Sequence, residues 1–491
     1  MEKFFNQTNF SGGLSESDLI GSPGSFSNSF GIDIHTLPGV IQASWEPQNK
    51  DENHIIEELC LFAVDTSTGT SFWFGNSGTI YNVKVSGGVM SFGTVYQGGA
   101  VKGAGEFRNF VYWTTGQNVH RIKVNGNWTT DVVAYGSINS ATYNPMVNMR
   151  SHLLIGSGTT LASVDDTGTI TASGIPNVTL AAIPENYQIT CLQKYGIDVL
   201  VGTKLTGGAT GSKLYRWDLA SPTWIQDIDV PETSVNCFLL TPNNTYFQAG
   251  QKGNLYSYNG ISIAPYKKIP IVVPDNDSGN VMAYPQSSAN FGSIGYFGIT
   301  NQTVQAGAAG LYALGRKNNS YPISLSHQFP SSYSISTGST TKLHIGAVIS
   351  GIDATTTPPS PFLLFNWRNN NTASATYGMD AIFNPSIKCN PAWFETQAIG
   401  ASSPNQKTFQ NYNINYRAKP TNTSIALSYF KNFSSGSIVM NLTDKTDYNK
   451  LVSNQKIDAG AMKFRITLTS NADKTAEISE FYTDFDERSI L

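Results

Sequence analysis

The sequence predicts an all-β fold, and three features of its composition support that prediction. Charged residues make up 13% of the 491 residues, about half of the roughly 25% found in ordinary globular proteins. Polarity comes instead from Ser, Thr, Asn, Gln and 45 Gly, and Ser, Asn and Gly compete against helix formation. The 23 Tyr, together with Thr and Phe, fit the pleated surface of a strand. We therefore expect strands and tight turns over most of the chain.

A weak internal repeat predicts how those strands are arranged. Its unit is an apolar strand, a short polar turn and a second apolar and aromatic strand, as in residues 72–75 followed by residues 78–83. The second strands of seven copies contain Tyr81, His120, Leu161, Tyr215, Tyr256, Tyr312 and Leu364. The shorter spacings, about 40 residues, match one four-stranded propeller blade. We expect a β-propeller of about seven blades over residues 46–384, with six or eight blades, or hairpins in stacked sandwiches, as alternatives.

From about residue 385 the pattern changes to longer strands that alternate cleanly and lack the Gly punctuation. Tyr412, Ile414 and Tyr416 fall on one face of such a strand, because side chains two positions apart point the same way. About a hundred residues of this kind predict a small β-sandwich over residues 385–491.

The first 45 residues are predicted to form an extended arm rich in Gly, Ser and Phe. Isolated apolar residues in such a segment cannot make a core alone, so we expect them to dock on their own propeller or on another subunit. We predict an assembly arm, whose deletion over residues 1–30 leaves the propeller folded but weakens assembly. The arm residues expected to make these contacts are Phe4, Phe5, Phe10, Leu14, Ile20, Phe26, Ile32 and Ile34.

The charge balance argues against nucleic-acid and membrane partners. The net charge is −3 and the isoelectric point is about 6.1, and Lys and Arg are scattered, so no basic patch is available for a phosphate backbone or a lipid surface. No run of about eighteen apolar residues predicts a membrane span. Residues 1–13 lack the apolar segment of a secretory signal, so we expect synthesis in a cytoplasm.

No motif predicts catalysis, a cofactor or a metal. The six histidines show no paired spacing and no nucleophile elbow occurs. His120 and His344 are expected to be half-buried strand residues. Residues 207–214 lack the adjacent Gly-Lys of a phosphate-binding loop and precede a strand, which indicates a loop insertion. The cysteines, expected to be free thiols, are Cys60, Cys191, Cys237 and Cys389.

Two segments that begin with aspartate, residues 65–69 and 165–169, faintly resemble the Asp-box turns of sialidase-like propellers or calcium loops. Asp and Gly tolerate the backbone angles of a hairpin turn, which is a sufficient local reason for their presence. We therefore interpret both segments as turns.

Both ends of the chain resemble virion tail proteins of tailed bacteriophages. The phrases are Ser-Gly-Gly-Leu at residues 11–14, Gly-Ile-Asp-Ile-His-Thr-Leu-Pro-Gly at residues 31–39, and residues 476–486. With a degenerate propeller and a closing sandwich, the plan is similar to that of the nozzle or muzzle proteins at the end of short phage tails. The resemblance implies a multi-copy virion component, made in the host bacterial cytoplasm, whose partners are other tail proteins and further copies of itself.

We therefore expect a structural scaffold and assembly protein of a phage tail and not an enzyme. One alternative is a tail-tip or fibre protein that binds host-surface glycans through aromatic residues and the loops at residues 206–211 or 302–309. A second alternative is a sialidase-like propeller that cleaves glycans. That activity needs convergent carboxylates, usually with arginines, at the central channel, and the repeat places no acid at a recurring inward position.

Overall fold

A computed structural model describes residues 2–15, 24–51, 53–66, 69–207, 211–241, 245–270, 279–303, 309–339, 341–370, 375–383, 387–401, 405–431, 434–438, 441–442 and 450–488. Strands are the main regular structure of these residues and nearly all of them pair antiparallel, so the all-β prediction is confirmed. Helix α1 (Ser332–Thr337) has six residues.

Seven short strands precede the repeat. They are β1 (Glu2–Gln7), β2 (Gly13–Leu14), β3 (Ser25–Phe26), β4 (Asn28–Phe30), β5 (Ile32–Asp33), β6 (Gln42–Ala43) and β7 (Gln48–Asn49). β2 pairs with β3, and β5 pairs with β6. The other three join sheets formed by later parts of the chain.

Five separate four-stranded antiparallel sheets and one nine-stranded sheet follow. The nine-stranded sheet contains two four-stranded units and one short additional strand, and the seven four-stranded units are here called sheets 1 to 7. Sheet 1 contains β8 (Cys60–Asp65), β9 (Thr70–Gly75), β10 (Thr79–Ser86) and β11 (Val89–Gln97). Sheet 2 contains β12 (Val101–Phe107), β13 (Phe110–Thr115), β14 (Asn118–Lys123) and β15 (Val133–Ser137). Sheet 3 contains β16 (Met146–Asn148), β17 (His152–Ser157), β18 (Thr160–Asp165) and β19 (Ile170–Thr171). Sheet 4 contains β20 (Tyr187–Tyr195), β21 (Asp198–Leu205), β22 (Ser212–Trp217) and β23 (Gln226–Val230).

The remaining three sheets vary this plan. Sheet 5 contains β24 (Val235–Leu239), β25 (Thr245–Ala249), β26 (Asn254–Tyr258) and β27 (Ile263–Lys268). Sheet 6 contains β29 (Ser288–Phe291), β30 (Ile294–Asn301), β31 (Gly310–Gly315) and β32 (Ser324–Pro330). The short strand β28 (Val281–Met282) precedes it in the chain and pairs with β30. Sheet 7 contains β33 (Leu343–Asp353), β34 (Ser360–Asn369), β35 (Thr376–Phe383) and β7. A single residue pair, Asn301 with Leu343, links sheets 6 and 7.

The first strands of the seven sheets pack against one another in chain order. β8 contacts β12, and the contacts continue through β16, β20, β24, β29 and β33. β33 of sheet 7 also contacts β8 of sheet 1, where the backbone N–H of Cys60 donates to Oδ1 of Asn366 at 2.7 Å. The N-terminal part of the chain supplies the fourth strand of sheet 7, with Asn49 of β7 opposite Asp380 of β35.

The predicted repeat follows the second and third strands of these sheets. Its first six copies fall on the strand pairs β9–β10, β13–β14, β17–β18, β21–β22, β25–β26 and β30–β31. The seventh copy is displaced by one strand, onto β33 and β34, which are the first and second strands of sheet 7. Leu343 and Ile345 of β33 are fully buried, so this first strand carries the apolar pattern that marks a second strand elsewhere.

Two further sheets, together called the terminal module, follow residue 391. Their strands are β36 (Ala392–Glu395), β37 (Gln406–Ala418), β38 (Ser424–Lys431), β39 (Ser434–Ile438), β40 (Asn441–Leu442), β41 (Lys450–Ser453), β42 (Ile457–Ala459), β43 (Lys463–Thr469) and β44 (Glu477–Arg488). One sheet has the order β1-β44-β37-β41-β40, with β42 on β37, and the other has the order β39-β38-β43-β36-β4. Phe464 of the second sheet contacts Tyr412 and Phe481 of the first, with ring centroids 5.5 and 5.3 Å apart. The two sheets therefore face each other across an aromatic core.

One hydrophobic core joins the N-terminal arm, sheets 5 and 6, and the terminal module. Phe10 of the arm, Leu255 of sheet 5, Tyr312 of sheet 6 and Phe464 of the terminal module all belong to it, and each is at most 1% exposed. Burial of large apolar side chains is the main favourable term in folding. These parts of the chain therefore stabilise one another directly.

Candidate functional site: a cavity among the first strands

A cavity of about 520 Å³ opens at the C-terminal ends of the first strands, and all seven of these strands line it. One residue from the end of each strand, or directly after it, contributes to its edge. These seven residues, here called the mouth ring, are Asp65, Glu106, Asn148, Lys194, Leu240, Asn290 and Ser350. Six of the seven are polar, whereas the wall below them includes apolar residues such as Leu192, Phe238 and Val348.

Asp65 and Glu106 hold equivalent positions on neighbouring strands. Asp65 lies two residues beyond the cross-strand partner of Trp73, and Glu106 lies two residues beyond the partner of Trp113. Both tryptophans are completely buried in the second strands of their sheets. The same strand register therefore brings two carboxylates to the cavity from adjacent sheets.

Burial changes the protonation chemistry of both acids. It raises the pKa of Asp65 to about 6, and the nearby negative charge of Glu106 raises that pKa further, against the backbone hydrogen bond from Thr66. Burial also raises the pKa of Glu106. Among the ion pairs of the described residues, none joins either carboxylate to a lysine or an arginine. The mouth ring therefore carries two neighbouring carboxylates without a neutralising cation of the protein beside them.

Gln286 joins three of the first strands next to the cavity. Its side-chain Oε1 accepts from the backbone N–H of Ala63 at 2.9 Å, and its Nε2 donates to the carbonyl of Ala104 at 3.0 Å. Its own carbonyl accepts from the backbone N–H of Val348 at 3.0 Å. Since these partners lie in sheets 1, 2 and 7, one side chain and one peptide group tie the two ends of the repeat together.

A wider groove continues from the mouth ring to the outer surface. It has a volume of about 880 Å³ and shares Asp65, Asn290 and Ser350 with the first cavity. Lys84 of sheet 1 and Phe291 of sheet 6 line its outer part. The cavity and groove therefore share part of their lining, which combines polar side chains with aromatic and aliphatic ones.

The two histidines noted in the sequence are held by structural contacts. Nδ1 of His344 lies 2.9 Å from the hydroxyl of Tyr284, and burial, with the positive charge of Arg368, lowers the pKa of His344 to about 4. Nε2 of His120 lies 2.8 Å from Oγ1 of Thr115, and burial lowers the pKa of His120 as well. Both imidazoles are therefore neutral near pH 7 and serve as packed strand residues.

Most of the predicted arm contacts are made within the chain itself. Phe10, Leu14, Phe26, Ile32 and Ile34 are each at most 2% exposed. Two of them, Phe10 and Phe26, meet Phe394 of β36 with ring centroids 5.4 and 6.0 Å apart. Phe5 is partly buried against the same core. These side chains therefore dock on their own subunit, one of the two alternatives considered for the arm.

The other two predicted arm residues, Phe4 and Ile20, are not among the side chains found docked on the core. Phe4 on β1 is 72% exposed, and its ring stacks on Tyr482 at 6.3 Å. Ile20 lies outside the described residues. Phe4 is thus the arm residue best placed to contact another molecule, and the role of the arm in assembly stays a prediction.

The predicted turns and loops have different outcomes. Oδ1 of Asp165 accepts hydrogen bonds from the backbone N–H groups of Thr167 and Thr169 at 2.9 and 2.8 Å, and hydrogen bonds of this kind hold the pKa of Asp165 below its usual range. Residues 165–169 therefore form an ordinary Asp turn. Residues 208–210 and 304–308 of the two predicted binding loops lie outside the described residues.

The carboxylate pair was missed in the sequence. Asp65 was interpreted only as the start of a turn, and Glu106 was not singled out. The repeat had been aligned on the apolar second and third strands, whereas the two acids end the first strands. The two hairpins differ in length by one residue, since Trp73 follows its partner Ala63 by ten positions and Trp113 follows Ala104 by nine, so the equivalence of Asp65 and Glu106 is visible only in the strand pairing.

Clusters of metal-ligating side chains and long apolar helices are both absent from the described residues. No group of three or more His, Cys, Asp or Glu among them is close enough to hold a metal ion. The four cysteines are buried and free, and burial raises the pKa of the Cys191 thiol to about 12. Within the same part of the chain, no helix has the length and apolar character that a bilayer crossing requires.

Neither a protein-family model nor a curated protein matches the sequence. Among solved structures, the β-propeller domain of Cps50 (Swd1) from Myceliophteria thermophila matches with a TM-score of 0.42 and 12% identity, over 66% of this chain and 96% of that domain. The N-terminal domain of Nup159 matches with a TM-score of 0.41 and 10% identity, over 75% of this chain and 99% of that domain. The extracellular domain of the putative hybrid two component system BT4673 from B. thetaiotaomicron matches with a TM-score of 0.42 and 14% identity, over 74% of this chain. This chain spans 42% of the length of that domain, and likenesses of this degree assign no function.

Proposed function

We propose that this protein is a non-catalytic structural subunit of a bacteriophage tail, in which the seven sheets close into a seven-bladed propeller. The observation that carries this proposal is the pairing of the two chain ends in the terminal module. β1 pairs with β44, and β4 pairs with β36. Of the segments that resemble phage tail proteins, nearly all of residues 476–486 lie in β44 of this two-sheet body, and residues 11–14 and 31–39 contribute Leu14, Ile32 and Ile34 to the core that it shares with sheets 5 and 6.

Closure of the ring is supported by three contacts between its ends. β33 packs on β8, β7 completes sheet 7, and Gln286 bonds to sheets 1, 2 and 7. A closed ring suits a structural subunit because it leaves few exposed strand edges for unwanted strand addition.

The terminal module supplies the surface for assembly. In the described part of its sheet, β1 is an edge strand with one side paired to β44, and an open edge is a template for pairing with another chain. Phe4 adds an exposed aromatic side chain to that edge. We infer that neighbouring subunits, either further copies or other tail proteins, meet this edge in the virion.

Particle composition and assembly test this proposal. Mass spectrometry of purified virions should detect the protein, and Phe4→Glu should reduce its assembly while leaving the fold intact. Ile197→Glu is the matched control, because Ile197 is 85% exposed in the turn between β20 and β21 of sheet 4, and no described residue of that sheet belongs to the core shared with the terminal module. Absence of the protein from purified particles would refute the structural role.

The groove favours a second candidate function, recognition of a host-surface glycan. Ligand sites are typically concave, mostly apolar pockets of about 300–1,000 Å³ with a few placed polar groups, and the cavity and groove together provide both. Binding of the isolated protein to host cells, measured with and without substitutions in the mouth ring, tests this candidate.

A sialidase-like activity has less support, since no arginine occurs among the described residues that line the cavity or the groove.

A further inference from the structure

The mouth ring gives the cavity two chemically different sides. Asp65 and Glu106 lie together on sheets 1 and 2, and the amides and hydroxyl of Asn148, Asn290 and Ser350 lie on sheets 3, 6 and 7. A ligand that bridges the opening therefore meets two carboxylates at one end and amide and hydroxyl groups at the other, where Lys194 of sheet 4 adds one positive charge to the rim.

We propose that this cavity binds a positively charged amino sugar, with its ammonium group between Asp65 and Glu106 and its hydroxyls on the amide side of the mouth ring. The proposal rests on the second candidate function, glycan recognition, and names the class of sugar that the site selects.

The charge of the two acids favours a cationic ligand over a neutral one. An opposite charge within about 4–6 Å stabilises an ionised carboxylate, and an ammonium group can satisfy both acids at once because it has three donors of its own. A neutral sugar would displace water from two neighbouring carboxylates without neutralising them, which carries a large desolvation cost. The ammonium group would therefore pair with two carboxylates that form no ion pair among the described residues, since Lys194 of the same ring lies on sheet 4 and makes none with them.

The rest of the ring fits the remainder of such a sugar. An asparagine amide both donates and accepts hydrogen bonds, which matches the dual character of a sugar hydroxyl. Phe238 and Leu240 give the wall an apolar stretch for the C–H face of the ring. The volume of about 520 Å³ lies within the range of small-molecule sites.

A divalent cation fits the same acids less well. Calcium takes about 6–8 oxygen ligands, whereas among the described residues no third acidic or histidine side chain lies close enough to the pair to share an ion with it. Two carboxylates provide too few fixed oxygens for such an ion but suffice for one ammonium group.

Calorimetric titration of the full-length protein tests the proposal with two matched probes, a glucosamine trimer and its fully N-acetylated counterpart. At pH 7 and low salt the glucosamine trimer should bind, and the acetylated trimer should bind at least about tenfold more weakly, equivalent to 1.4 kcal/mol. Asp65→Asn and Glu106→Gln should each weaken binding of the glucosamine trimer by a similar factor. Asp473→Asn, which alters an exposed carboxylate of the terminal module, is the control and should leave binding unchanged.

Three results would overturn the inference. Equal binding of both trimers would show that the ammonium group is not recognised, although glycan binding itself would stand. Unchanged affinity in the two mouth-ring variants, with wild-type melting temperatures, would place the sugar elsewhere. No binding of either trimer by a protein that still attaches to host cells would refute the amino-sugar assignment and leave the second candidate function intact.

Discussion

Removal of the N-terminal arm should destabilise the protein itself and not only its assembly. Deletion of residues 1–30 removes β1 and β4, which form an edge of each sheet of the terminal module. It also removes Phe10, Leu14, Phe26 and Phe30, each at most 9% exposed. Burying a large apolar side chain contributes about 1.5–3 kcal/mol, so these four account for about 6–12 kcal/mol. A typical domain has a net stability of only about 5–15 kcal/mol, and the truncated chain should therefore lose its stable terminal module.

The expectation drawn from the sequence was that the truncated propeller stays folded while assembly weakens. The structure changes this expectation because the apolar side chains of the arm are buried in the chain's own core. Two point variants separate the possibilities. Phe26→Ala should lower the free energy of unfolding by about 3–5 kcal/mol, whereas Phe4→Ala, at an exposed position, should change it by less than about 0.5 kcal/mol.

Urea denaturation followed by tryptophan fluorescence measures both variants and the truncated chain. Size-exclusion chromatography of the same samples reports assembly separately from stability. An unchanged denaturation midpoint for Phe26→Ala, or a truncated chain that unfolds like the full-length protein, would refute the reasoning and restore the arm as a pure assembly element.

Three further predictions follow from single positions. Gly346→Ala should destabilise the contact between sheets 7 and 1 and lower the melting temperature, because a Cβ would lie 2.3 Å from the carbonyl oxygen of Cys60. Gly460→Ala is the control, since nothing lies within 4 Å of its Cβ position, and equal melting temperatures of the two variants would contradict this prediction. Gln286→Ala should lower the free energy of unfolding by about 1–3 kcal/mol for each buried partner left without a hydrogen bond, and a loss below about 0.5 kcal/mol in urea unfolding would argue against a closing role. Burial raises the pKa of Asp380 to about 6, so the folded protein binds the proton of this carboxyl group more tightly than the unfolded chain does. The stability that the protonated group contributes is therefore full below about pH 4 and is lost as the pH rises through 6. Urea unfolding between pH 4 and 7 should show a shallower pH dependence in Asp380→Asn, and identical slopes would exclude this residue as the source.

The fold class and the repeat could be predicted from the sequence because they depend on local patterns. The second strands of the sheets are buried along most of their length, as Trp73 and Trp113 illustrate, so their apolar residues are nearly continuous and easy to align. The displaced seventh copy had a different cause. Sheet 7 takes its fourth strand, β7, from the N-terminal part of the chain. A strand so far upstream cannot be predicted from the local pattern of residues 343–383.

The candidate site could not be predicted in the same way because its residues meet only through the packing of separate sheets. Asp65 and Glu106 are forty-one positions apart, and each ends a short first strand beside turn residues that explain an aspartate or a glutamate locally. Their convergence depends on equal register in two sheets and on the contact between β8 and β12. The perturbed pKa of Asp65 is likewise a property of burial, which composition and spacing do not reveal.

The N-terminal segment links the two parts of the molecule. Within fewer than fifty residues it supplies an edge strand to each sheet of the terminal module and the fourth strand of sheet 7. Between these strands, Phe10 and Ile32 enter the core shared with sheets 5 and 6. Contacts between residues so distant in sequence form only after long loops have closed, which makes them costly in entropy. Because the same segment pairs with both sheets of the terminal module and with sheet 7, backbone hydrogen bonds at three places along it hold these two parts of the molecule together.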